Sequence, residues 1–231
     1  MSGSRAICSL TLCVTGVLIP LRMPCHPIET LAAVFTAIGT VAVAILAIWG
    51  DQVKDYLKGP RLELSLVTPK GDLTVRANGH KVYYFHVRVE NRPGRNAATG
   101  VRVLLRGISR RTPSGQFLKE SQVYPIQLIW TPMEIGEVER TVLHDSICDF
   151  GFVGQHDLYF IPAVVLMPGN FRGIVQKDEC VRFEIVAVGQ NVFSLLPAVF
   201  EVSWDGRWTE NQEEFQRHLV IRKVQSLQSD S

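Results

Sequence analysis

The sequence predicts a mainly β protein: an N-terminal transmembrane helix followed by an antiparallel β-sandwich, immunoglobulin-like or C2-like, with a short C-terminal helix. Three observations carry this expectation. Residues 31–49, LAAVFTAIGTVAVAILAIW, form a run of 19 without a charge, an amide or a proline. From Arg61 onward the apolar pattern changes from a helical period to a period of two. Turn signals (PSG, EIGE, PGN, VGQN, DG) then divide the chain into strand-sized pieces.

In lipid, a helix is the only open segment that satisfies every backbone N–H and C=O internally. At 1.5 Å per residue the run reaches roughly 28 Å, one hydrocarbon core. Within it Ala32, Thr36, Thr40 and Ala44 fall four apart, a small-residue stripe that suits a helix–helix contact and hence a homo-oligomer. Beyond Trp49, GDQVKDYLK keeps Val53, Tyr56 and Leu57 at helical spacing. The juxtamembrane segment and linker, residues 50–60, therefore continue the helix for two turns until Gly59-Pro60 ends it. Lys54 and Lys58 are placed to meet anionic lipid phosphates.

Residues 1–30 form a leader whose apolar part, residues 6–21, follows the single positive charge of Arg5. Three identities stay open: a signal peptide, although no A-x-A-like cleavage site follows; a short first helix paired with the span; or residues upstream of a true start at Met23. The last places the span where single-span proteins carry it. With Met23 first, no Lys or Arg precedes the helix, whereas Lys54, Lys58 and Arg61 follow it. The positive-inside rule then predicts a single-pass protein of the inner (cytoplasmic) membrane with its soluble domain in the cytoplasm. Only a single span with Arg5 and Arg22 held inside would export the domain. Export would make Cys148 and Cys180 a candidate disulfide and suggest an envelope adhesion or glycan-binding module.

The β domain is expected over residues 61–224. RLELSLV alternates Leu62, Leu64 and Leu66 with polar neighbours. KVYYFHVRVE places Tyr83, Phe85, Val87 and Val89 on one face and Tyr84, His86, Arg88 and Glu90 on the other. After the turn cluster ENRPGRNAATG, GVRVLLRGI sends Val101, Val103 and Leu105 inward and Arg102 and Arg106 outward. YPIQLIW, HDLYFIPAVVLM, CVRFEIVAV and LPAVFEVSW supply further strands, seven or eight in all. Trp204 and Trp208 flank an Asp-Gly-Arg turn and either form an aromatic platform or tuck the turn onto the core. Thr209, with Gln212 three residues on, reads as a capping box for a helix to about Arg217. LVIRKV is a last strand, and residues 225–231 a disordered tail.

IWGDQVKDYLKGP, VYYFHVRVENRPGRNAATGVRV and EVSWDGRW followed by EEFQRHLVIRK resemble uncharacterised small bacterial membrane proteins with one N-terminal helix and a β-rich soluble domain. The resemblance covers most of residues 28–223. It implies that same organisation and carries no activity or functional residue with it.

Charge is unevenly spread. Residues 61–119 hold 12 Lys and Arg against 3 Asp and Glu, and residues 120–231 hold 8 against 16. Catalytic signatures are missing: there is no G-x-S-x-G elbow, P-loop, G-x-G-x-x-G, H-E-x-x-H or C-x-x-C. His144, Asp145, Cys148 and Asp149, with His156 and Cys180, are the nearest thing to a metal set, and they lack the tight two-ligand knuckle of a structural zinc site. No catalytic residue, metal or cofactor is expected, and no nucleic acid. The best candidate surface is basic: His86, Arg88, Arg92, Arg95, Arg102 and Arg106 lie together if their two strands pair as a hairpin. Such a patch would hold lipid headgroups, a small anion or a protein's acidic face; the alternative is a solvated sheet face balanced by acidic neighbours. The expected function is a membrane-anchored, non-enzymatic binding or scaffolding module for a protein partner or anionic lipid. A membrane effector or sensor that binds a small anionic ligand and clusters its helices is the alternative.

Overall fold

The computed structural model describes residues 7–14, 17–24, 27–121, 125–132, 137–157, 159–192 and 197–224. Residues 1–6 of the leader, most of the EIGE turn and the tail expected at 225–231 lie outside the described residues. The chain divides into two units, residues 1–57 and residues 58–231.

In the first unit the leader forms a β-hairpin, not a helix: β1 (Ile7–Val14) pairs antiparallel with β2 (Val17–Pro24). Pro20 disfavours a helix here, and the β-branched Ile7, Thr11, Val14, Val17 and Ile19 favour strands. A single helix, α1 (Pro27–Lys58), follows. Its residues Leu31–Gly50 have mean hydropathy 2.5 and none is buried, so α1 is long and apolar enough to cross a membrane.

The second unit is a sandwich of two antiparallel sheets. In the first sheet β6 (Ala98–Arg111), β14 (Glu179–Val188), β15 (Ala198–Trp204) and β16 (Leu219–Val224) run side by side. The other flank of β6 is completed by three short pieces, β7 (Phe117–Lys119), β8 (Ile126–Gln127) and β10 (Arg140–Val142). In the second sheet β5 (Lys81–Asn91) pairs with β11 (Asp145–Gly154). Beyond β5 lie β3 (Leu62–Leu66) and β4 (Asp72–Val75), and beyond β11 lie β9 (Ile129–Thr131) and β12 (Tyr159–Pro162), with β13 (Val175–Gln176) outermost.

The period-two reading holds in β5 and β6: Tyr83, Phe85, Val87, Val89, Val101, Val103 and Leu105 are all buried. The strands outnumber the expected seven or eight because outer positions are assembled from fragments. YPIQLIW is split, with Ile126–Gln127 joining β6 and Ile129–Thr131 joining β11. The chain changes sheets at Leu128, whose N–H donates to Val103 (2.9 Å). The strand expected from HDLYFIPAVVLM stops at Pro162 because Val164 turns to bridge Leu128, leaving Val165 and Leu166 exposed.

Between the sheets Phe150 lies 5.5 Å from Phe160 and Phe183 and 5.6 Å from Phe200, within the range of favourable aromatic pairing. At one end of the core the short helix α2 (Gln212–His218) inserts Phe215, which stacks on Tyr83 at 4.0 Å and meets Trp204 and Trp208. The two tryptophans thus tuck their turn onto the core. The cap of α2 is Asn211, not Thr209: Asn211 Oδ1 accepts from the N–H groups of Glu213 (3.0 Å) and Glu214 (3.1 Å). Thr209 Oγ1 instead accepts from the N–H of Asn211 (3.2 Å), one step before the cap.

A register shift in β11 between Asp149 and Gly151 lets Phe150 enter the core. A Cβ at Gly151 would meet the Phe160 ring and lie 2.6 Å from the Ile161 carbonyl oxygen. Gly151→Ala is therefore expected to cost about 1–3 kcal/mol through overpacking, read as a fall in the urea midpoint. An unchanged midpoint would contradict this packing.

Candidate functional site

The six basic residues singled out in the sequence do not form one patch. β5 and β6 are consecutive in the chain, yet they belong to opposite sheets and share no ladder. His86 and Arg88 leave the outer face of the second sheet, and Arg102 and Arg106 leave the outer face of the first. Arg92 and Arg95 stay in the loop that carries the chain from one sheet to the other.

His86, Arg88, Arg92 and Arg102 are matched to carboxylates. His86 Nδ1 donates to Asp149 Oδ1 (2.8 Å), and its Nε2 lies 3.4 Å from Asp72. Thr131 Oγ1 donates to the same Asp149 oxygen. The hydrogen bond to Asp149 raises the imidazole above its ordinary value; burial opposes it, and the charges of Asp149 and Asp72 reinforce it. Arg88 lies 3.6 Å from Asp145, Arg102 lies 3.6 Å from Glu139, and Arg92 Nε donates to Glu63 (2.6 Å). Arg106 is exposed and has no ion pair among the described residues. These are mostly half-exposed pairs, worth at most about 1 kcal/mol each.

A different feature organises the loop. Asn91 sits at the end of the inward-facing series of β5 and is only 3% exposed. Its Oδ1 accepts from the N–H of Arg61 (3.1 Å), and its Nδ2 donates to the carbonyls of Asn96 (2.8 Å) and Leu143 (3.3 Å). The N–H groups of Arg92 and Asn96 donate to the carbonyls of Arg61 (3.0 Å) and Lys58 (2.8 Å). Gly59 and Pro60 are buried between these bonds. The segment where the chain enters the sandwich is thus bonded along its length to the loop bearing Arg92 and Arg95, with exposed Lys58 and Arg61 beside it. Sequence reasoning passed over Asn91, although period two already placed a polar residue on the core face.

Cys148 and Cys180 are both free. Cys148 points into the core from β11, whereas Cys180 lies on the outer face of β14, so the disulfide considered from sequence is not available. Along β11, Cys148 faces inward and Asp149 outward, on opposite sides of the strand. Among the described residues no three His, Cys, Asp or Glu side chains are grouped to hold a metal. On α1, Thr36 Oγ1 donates to the Ala32 carbonyl and Thr40 Oγ1 to the Thr36 carbonyl, both at 2.8 Å. In the stripe Ala32, Thr36, Thr40 and Ala44 the two hydroxyl protons are thus already engaged within the helix.

Compared with known protein families and with curated proteins, the chain matches none.

Protonated His86 contributes stability that is complete below about pH 6.5 and is lost as pH rises through its raised folded value. An NMR titration is expected to place its midpoint above 6.5, and His86→Gln to flatten the loss of stability above that pH. A midpoint at or below 6.5 rejects the assignment. Asn91→Ala is expected to cost about 1–3 kcal/mol in chemical denaturation, because buried backbone groups lose their partners. Arg92→Ala should cost at most about 1 kcal/mol.

Proposed function

We propose that the protein is a single-pass, membrane-tethered binding module that does no catalysis and whose β-sandwich works against anionic lipid from the cytoplasmic side. One observation carries this reading: the segment that follows the apolar run closely in sequence, from Lys58 to Arg61, is hydrogen-bonded to a basic loop. Seven residues lie between Gly50 and Lys58, a helix rise of at most about 12 Å. The reading takes Lys58, Arg61, Arg92 and Arg95 to meet lipid phosphates together, because the hydrogen bonds of Asn91 and of the adjoining backbone join their two segments. A polybasic segment at this distance gains about 1 kcal/mol per cation from an anionic leaflet. The cytoplasmic side is the one that the positive-inside rule assigns to Lys54, Lys58 and Arg61.

The organisation is that of the small bacterial membrane proteins the sequence resembles, and we assign the chain to that group as part of the same reading. A non-catalytic role is supported by the engagement of the titratable groups. His86 is tied to two aspartates, and burial pushes the Cys148 thiol far up, keeping it protonated.

Hydrogen exchange on the full chain in nanodiscs tests the reading. Residues 91–96 are expected to exchange more slowly in anionic than in zwitterionic lipid, and Arg92→Gln with Arg95→Gln should abolish the difference. Equal exchange in the two lipids would refute a lipid-facing role.

A further inference from the structure

On the outer face of the first sheet, away from the loop just described, β14, β15 and β16 form the floor of a cleft of about 460 Å³. Cys180 pairs with Ser203, and Ser203 with Val220, in one row across three strands. Thr112 and Pro113, in the turn after β6, make one wall. The end of α2 and the turn after β15 make the other, with Arg217, His218 and Asp205. The volume lies within the range of small-molecule sites.

The charges in this cleft are unequally spent. Glu179 is engaged by Arg110 and by the N–H of Gln176 (2.8 Å). Asp205 accepts from His218 Nδ1 (2.8 Å) and from the N–H of Arg207 (2.9 Å). Burial works against ionisation of Asp205, but these hydrogen bonds outweigh it and hold the carboxyl below its ordinary range. Glu201, in the next outward-facing row, is held between Arg182 (2.8 Å) and Arg222 (2.9 Å). By contrast Arg111 and Arg217 line the cleft, are exposed, and have no carboxylate partner among the described residues. The Ser203 hydroxyl and His218 Nε2 likewise have no protein partner there. Among the described residues Asp178, also lining the cleft, has no ion pair.

We infer that this cleft binds a small phosphate- or carboxylate-bearing molecule, with Arg111 and Arg217 gripping it from opposite walls and Ser203 donating from the floor. Guanidinium groups suit this task because they present planar, paired donors to an oxyanion. The site binds without covalent chemistry, since burial and the charge of Glu201 raise the Cys180 thiol despite three nearby arginines. No residue of the lipid-facing loop takes part, so either reading can fail alone.

The test is calorimetric titration of the full chain in detergent with two probes, pyrophosphate and citrate. Saturable binding of pyrophosphate alone would identify a phosphate-bearing ligand, and of citrate alone a carboxylate-bearing one; binding of both would mean recognition of the shared oxyanion charge. Arg111→Gln with Arg217→Gln is expected to weaken binding at least tenfold, on the order of the loss of one charge-assisted contact. Arg106→Gln, on the same sheet face outside the cleft, should leave it unchanged. Both arginines of the double variant are exposed, and its melting curve should match the parent. Absence of binding of either probe at millimolar concentration would overturn the proposal. So would undiminished binding by the double variant, or an equal loss in Arg106→Gln.

Discussion

The amide of Asn91 is the point on which the two sheets depend. Between β5 and β6 the chain must leave one layer and enter the other, and the backbone groups at such a crossing have no ladder to bond to. A buried peptide group without a partner costs about 1–3 kcal/mol, so an unsatisfied crossing would undo much of a domain's net stability. Asn91 serves the Asn96 carbonyl within the crossing and, beside it, the Arg61 N–H and the Leu143 carbonyl, all from one side chain, and its own N–H reaches the His144 carbonyl at 2.7 Å. The same hydrogen bonds decide which residues neighbour which: because β5 and β6 part company here, their outward arginines face opposite sides of the molecule.

The sequence is basic early and acidic late, but folding cancels that division. Lys81 meets Glu210, Arg88 meets Asp145, Arg102 meets Glu139, and Arg110 meets both Glu120 and Glu179. Each pair joins the first half of the domain to the second, as interleaved sheets require. What remains uncompensated is confined to a few places, and these are where a charged ligand gains most from long-range attraction.

Much of the fold was legible because its signals are local. The inward series Tyr83, Phe85, Val87, Val89 and the outward Arg102 and Arg106 follow from period two, and residues 31–49 announce a helix by length and apolarity. The breaks were not legible, because they are decided by partners distant in sequence. Whether Leu128 continues a strand or changes sheets depends on Val103 and Val164. The candidate site suffered for the same reason: proximity of His86 to Arg102 needed a hairpin, and nothing within ENRPGRNAATG tells a hairpin turn from a crossing. Asn91 was the one local clue, a polar residue in phase with the core. His218 and Asp205 carry no such clue, since their meeting depends on the order of β15, α2 and β16 in space.

The margins of the sandwich have a consequence for how anything can attach to it. The outermost strands β10 and β13 have three and two residues, too short to template another chain. Lys223 of β16 reaches across to donate to the Leu64 carbonyl on β3 at 2.8 Å, so the side where the two longer outer strands approach is occupied by a charged side chain. Strand addition, the route by which many β domains capture extended peptides, has little backbone to work with here. Recognition is left to side chains on the sheet faces and in the loops, so surface substitutions can retune it without passing through the fold.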